Sequence, residues 1–104
     1  MGKPRSITID TRTFDKYGDA NQFFSAMLNR YPMGAIVNPA DSFDLAALLK
    51  RHDELADKVG VGIDHFEVGA APDGHPGRCF WIVRTDDKRA DFSFKHCLEP
   101  KPFD

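Results

Sequence analysis

Hydrophobic and polar positions alternate most clearly between Gly60 and Leu98, and that alternation predicts a three-stranded antiparallel meander. Its strands are 60–68, 77–85 and 90–98. Between the last two lie Asp86-Asp87-Lys88-Arg89, four polar residues flanked by apolar runs, which read as a turn. Setting Thr85 opposite Ala90 across this turn places Val83 against Phe92, Trp81 against Phe94 and Cys79 against His96. That face is apolar, and the helices are expected to cover it. The reverse face pairs Arg84 with Asp91, Ile82 with Ser93 and Phe80 with Lys95, a mixed surface. In the first strand Phe66 and Val68 join the apolar face, and Ile63, His65 and Glu67 go to the other. The 70–77 connection is dense in glycine and proline and reads as an exposed loop.

Upstream, Ser6-Ile-Thr-Ile-Asp10 alternates and reads as a strand at the edge of the same sheet. A helix follows, capped by Asp19, with Phe23, Phe24, Met27, Leu28 and Tyr31 as its apolar stripe. Tyr31-Pro32 stops it, because the residue before proline avoids helical dihedrals. Asn38-Pro39-Ala-Asp41-Ser42 offers caps for a second helix carrying Leu45, Leu48, Leu49 and His52 on one stripe. Asp53 opens a short third helix with Leu55 and Val59 inward and Gly60 as its left-handed terminator. The order predicts an α+β fold, an antiparallel sheet of the N-terminal strand plus the meander, with two to three helices on one face. One domain spans residues 1–104, with an ordered core at about 6–98 and a surface tail at 99–104.

Composition narrows the partners more than the fold. With 104 residues, 41% of them hydrophobic and nine of them Phe, the chain can build a core without staples. A net charge of -2 argues against bulk attraction to nucleic acid or anionic membranes, so any basic site must be local. No run approaches the roughly 20 apolar residues of a membrane span. Met1-Gly-Lys-Pro-Arg-Ser6 leads into a strand pattern instead of a signal-peptide core, which predicts a cytoplasmic protein. Cys79 and Cys97 are too few for a disulfide framework or a four-cysteine zinc site, and no cofactor is expected.

Arg78-Cys-Phe-Trp-Ile-Val-Arg-Thr-Asp86, followed by Asp91-Phe-Ser-Phe-Lys-His-Cys-Leu98 and preceded by Gly60-Val-Gly-Ile-Asp64, resembles the DCL family, named for the plant phenotype "defective chloroplasts and leaves". Tyr31-Pro32 and Leu48-Leu-Lys-Arg-His52 fit the same pattern, so the likeness runs from about Phe14 to Leu98. The resemblance implies a role near ribosomal RNA maturation, as in plastid members, or near plant RNA polymerases, whose silencing-specific largest subunits end in a similar domain. It implies no catalytic residue. The chain reads as a stand-alone, bacterial-type member.

Three chemistries compete for the candidate residues. In the first, Phe80 is an aromatic platform for bases, Arg78, Arg84 and Lys95 surround it, and Lys88 and Arg89 extend the basic rim toward RNA or a ribonucleoprotein. The structural alternative covers Phe80 and Ile82 and leaves the cations merely solvated. In the second, the same face docks a protein partner or a second copy. In the third, Cys79 and His96, with Asp64 and His65 on the neighbouring strand, make a nucleophile–base pair or a metal site. A cysteine and a histidine under a helical layer more often pack as small apolar and satisfied polar groups. Asp64 is expected to accept backbone N–H groups from the 60–62 turn, and His75 to be exposed in its loop. Gly60 and Gly62 precede a strand instead of opening a helix, so they do not form a phosphate loop. The expected function is a non-catalytic binding module, RNA-associated in the first instance and protein-binding in the second.

Overall fold

A computed structural model describes residues 6–52, 55–72, 74 and 77–99. The order is β1 (Ile7–Ile9), β2 (Arg12–Phe14), α1 (Tyr17–Arg30), α2 (Pro39–Leu49), α3 (Leu55–Val59), β3 (Ile63–Ala70), β4 (Arg78–Arg84), β5 (Arg89–Phe92) and α4 (Phe94–Leu98). The fold is α+β, as the alternation of patterns implied. Among the described residues no helix is long and apolar enough to cross a membrane.

The three helices upstream of the meander form where their stripes place them. In α1 the residues Ala20, Phe24, Met27 and Leu28 are buried, and the helix begins at Tyr17, so Asp19 sits in the first turn instead of capping it. In α2 the Asn38 side chain caps the helix by accepting the Asp41 N–H at 2.7 Å, with Pro39 as the first helical residue. Leu45, Leu48 and Leu49 point inward there. The start proposed for α3 at Asp53 lies outside the described residues, as do His75 and residues 100–104 of the tail. Gly60 ends α3 with a φ of 56°, and an added Cβ would come within 2.8 Å of the Arg84 side chain.

The sheet differs from the expected one in three respects. First, β1 does not join it: β1 pairs with the short β2 as a separate hairpin, Ile7 opposite Phe14. The edge of β3 is instead met by residues 34–37, through Gly34 N–H to the Val68 carbonyl at 2.7 Å and Val37 N–H to the Phe66 carbonyl at 2.9 Å. Second, the β4–β5 register is displaced. Val83 lies opposite Arg89, three residues before the expected Phe92, and Phe80 lies opposite Phe92. The cause is the turn. Arg84 N–H donates to the Lys88 carbonyl at 2.8 Å, which leaves a loop of Thr85, Asp86 and Asp87, and Asp87 takes a left-handed φ of 65°. This is the three-residue hairpin with a left-handed third residue, not a four-residue turn. An odd displacement exchanges the two faces of a strand.

Third, the last stretch is no strand beyond Phe92. Ser93 caps α4 by accepting the His96 N–H, and Phe94, Cys97 and Leu98 are buried at helical spacing. Trp81 and Phe94 therefore do not meet, and Cys79 pairs with Gly69 instead of His96.

The interior forms on the β4 face expected to be a mixed surface, together with the β3 and β5 residues already expected inside. Phe66, Val68, Phe80, Ile82 and Phe92 are all buried on it. An aromatic run crosses the molecule from there: Phe66 to Phe92 at 6.1 Å, Phe92 to Phe80 at 5.9 Å, Phe80 to Phe94 at 6.3 Å and Phe94 to Phe24 at 6.2 Å between ring centroids. Helix α4 packs against both α1 and α2 and so ties the sheet to the helical layer. Buried Arg51 holds its far end, donating to the Cys97 carbonyl at 2.8 Å and the Glu99 carbonyl at 3.2 Å.

Candidate functional site

The reversal of faces redistributes the residues expected to bind RNA. Phe80 is fully buried, with no exposed ring face, so the stacking platform does not exist. Arg78 stays near the α1 end of the sheet, where it donates to the Tyr31 carbonyl. With Lys95 it lines a cleft of about 390 Å³ that also includes Ser25, Cys79, Asp91 and Ser93. Arg84, Lys88 and Arg89 sit at the opposite end of β4. There Arg84 Nε lies 3.5 Å from Asp86, the Lys88 N–H is held by the Asp86 carboxylate, and Arg89 pairs with Glu67 at 2.8 Å. The six residues do not form one surface, and two of the arginines face carboxylates.

The outward sheet face carries a connected polar network. His65 Nδ1 lies 2.6 Å from Asp64 and its Nε2 2.8 Å from Glu67, whose other oxygen takes Arg89. The Arg89 guanidinium in turn lies 5.4 Å from the centroid of the Trp81 ring. Trp81 is half-buried, and its indole N–H donates to the Ala70 carbonyl at 3.1 Å. Asp64 is thus an exposed partner of histidine and not the buried acceptor of the 60–62 turn.

Two carboxylates on one imidazole favour the doubly protonated ring, since both nitrogens must donate. The hydrogen bond to Glu67 raises the His65 pKa most, the bond to Asp64 next, and burial opposes them. A raised folded-state pKa means the network stabilises the fold fully below the unfolded value, roughly 6.5, and ceases to as pH climbs through the folded one. The expected result of an NMR titration is a His65 midpoint above 6.5, brought down further by Glu67→Gln than by Asp64→Asn. A midpoint that ignores both substitutions would contradict this arrangement.

The thiol constellation dissolves in the same way. Burial, aided by Asp91 and opposed by Lys58, pushes the Cys79 thiol up to about 11, so it is protonated at neutral pH and a poor nucleophile. The His96 ring instead lies against that of His52, 4.8 Å between centroids and tilted by 49°.

The apolar surface lies elsewhere. Between α2 and the start of β3 runs a cleft of about 540 Å³ lined by Ile36, Val37, Phe43, Ala46, Ile63 and Phe66, with Asp64 and His65 at one end. Phe43 is 71% exposed and Ile36 61% exposed on its flanks. A second hollow, sharing Ala46 and Ile63, continues it toward Leu55 and Val59. The sequence did contain a signal for this. Phe43 falls off the Leu45, Leu48 and Leu49 stripe, so a helix that buries those leucines must turn Phe43 outward.

The pattern of a family described as "Protein of unknown function (DUF3223)" matches residues 25–98. The chain is 37% identical over 97 residues to the protein EMBRYO DEFECTIVE 514 of Arabidopsis thaliana, covering 92% of this chain and 44% of that one. It is 42% identical over 55 residues to the chloroplastic protein DCL of Solanum lycopersicum, 53% of this chain and 25% of that one. The chain thus spans less than half the length of these curated relatives. The fold is similar to the solution NMR structure of an uncharacterized protein from Rhodospirillum rubrum, with a TM-score of 0.81 and 42% identity, covering 93% of this chain and 91% of that one. The matched region takes in α2, the meander and α4, and on that ground the chain belongs to the DCL-like family of unknown function, DUF3223.

Proposed function

We propose that the domain is a non-catalytic docking module, acting in the cytoplasm, that binds a protein through the furrow between α2 and β3. The observation that carries this reading is the pair of outward apolar side chains, Phe43 and Ile36, on the flanks of a cleft whose lining is mostly apolar. Large apolar groups left to water beside such a cleft are the usual mark of an interaction surface. The relatives support the same reading, because a domain carried within longer chains commonly works by contact with other molecules.

A second reading keeps the domain associated with RNA, in ribosomal RNA maturation or ribonucleoprotein assembly, and it is favoured by Arg78 and Lys95 lining one cleft. Asp91 in the same cleft weakens the site for phosphate. Photo-crosslinking in cells separates the two. With benzoyl-phenylalanine replacing Phe43, protein adducts are expected, and with it replacing Lys95, none. Nuclease-sensitive adducts from position 95 with nothing from position 43 would overturn the docking reading in favour of RNA.

A further inference from the structure

Helix α2 has its chemistry turned inside out. Its two carboxylates face inward and are satisfied there. Asp41 accepts from the Tyr31 hydroxyl at 2.6 Å and from Arg30 at 2.7 Å, and Asp44 accepts from Thr11 at 2.6 Å and from Arg12 at 3.0 and 3.2 Å. Both residues are nearly excluded from water. Outward, the helix presents Pro39, Phe43, Ala46 and Lys50, of which only Ala46 is half-buried. Apart from terminal Lys50, which is paired with Asp10, that side carries no charge.

The spacing of this outward row is four, three and four residues, the seam spacing of helices that pack side by side. It also reads the same in both directions. A second α2 laid antiparallel across the row therefore sets each Phe43 over the partner's Ala46, a large side chain against a small one, twice. Beside each Ala46 lies the hollow shared with Ile63, which offers the incoming ring a place to go.

We propose that the occupant of the α2 furrow is a second copy of this chain, the two copies related by a twofold axis crossing α2 between Asp44 and Leu45. This rests on the docking reading above and names its partner. A twofold interface requires one patch to be complementary to itself, and a projecting ring beside a hollow on the same patch meets that requirement. Electrostatics do not oppose it, because the carboxylates of α2 are buried against arginines, Asp64 is held by His65, and the whole chain carries only -2. A patch one α2 long is about 16 Å. Such a patch is smaller than the roughly 800 Å² per partner of standard complexes, which puts the contact among the weak, transient ones.

Sedimentation equilibrium from about 10 µM to 1 mM tests this. The average mass of the wild type is expected to rise from 11.7 kDa toward twice that value, and Phe43→Glu to raise the dissociation constant at least tenfold with its melting temperature unchanged. Isotope-filtered NMR on the mixed dimer should show the Phe43 ring against the Ala46 methyl of the other copy. A mass that stays at 11.7 kDa up to 1 mM, or a dimer that Phe43→Glu leaves intact, overturns the proposal. A monomer whose position 43 still crosslinks to other proteins would retire self-association alone and leave the docking reading standing.

Discussion

Replacing Phe80 with alanine is expected to cost about 3–5 kcal/mol of folding stability, the range for emptying a fully buried aromatic site. Phe80 has no exposed surface and lies between the rings of Phe92 and Phe94, so its removal opens a cavity where the sheet meets α4. A domain of this size has a total stability of only about 5–15 kcal/mol, so this loss equals the whole of the lower figure. Phe80→Leu, expected to lose about 1.5 kcal/mol, keeps the measurement possible. Trp81→Ala is the necessary comparison. In the observed register it empties a half-buried site on the outward face, and its cost should be well below that of Phe80→Ala. Urea unfolding of the three variants reads the ranking directly. If Trp81→Ala proved the more damaging, the faces of the sheet would be assigned the wrong way round.

Asp44→Ala is expected to lose about 2–3 kcal/mol, through hydrogen bonds to a charged group that are withdrawn from a buried site. The carboxylate takes the Thr11 hydroxyl and two donors of the Arg12 guanidinium, and with the exposed Lys50–Asp10 pair these link the β1–β2 hairpin to α2. Arg12 also lies 4.2 Å from the centre of the Phe23 ring, so its release loosens the hairpin from α1 as well. A double-mutant cycle with Arg12→Ala should show strong coupling, because either single change removes the same interaction. Additive losses would mean that the hairpin is held by its apolar contacts, Ile7, Ile9 and Phe14, and not by this carboxylate.

The helical half of the fold was legible because each helix carries its apolar residues at one period and a recognisable terminus, Asn38-Pro39 before α2 and Gly60 after α3. The meander was legible as three extended segments, and its internal register was not. Strand β4 is apolar on both faces, Phe80 and Ile82 on one and Trp81 and Val83 on the other, so its own pattern cannot say which face is inside. The decision falls to the loop, and Thr85 through Arg89 are uniformly polar, so three and four loop residues look alike in sequence. The end of the chain misled for a related reason. Phe92 and Phe94 alternate like a strand, while the opposing signal, Ser93 as a cap ahead of Phe94, Cys97 and Leu98 at helical spacing, is only one turn long. Those two misreadings fall together on the expected binding face, which explains why Phe80 was assigned to RNA and lies in the core. The apolar furrow, by contrast, was foreshadowed by Phe43 alone.

The left-handed Asp87 closes a loop whose length fixes the parity of everything beyond it. Inserting or deleting one residue there would force β5 either to turn Phe92 outward or to slide until its pairing with Phe80 is lost, and α4 would be carried with it. Natural variants of this domain should therefore tolerate changes of residue type in the hairpin far better than changes of its length, and an engineered tag placed there would rethread the domain, not decorate it.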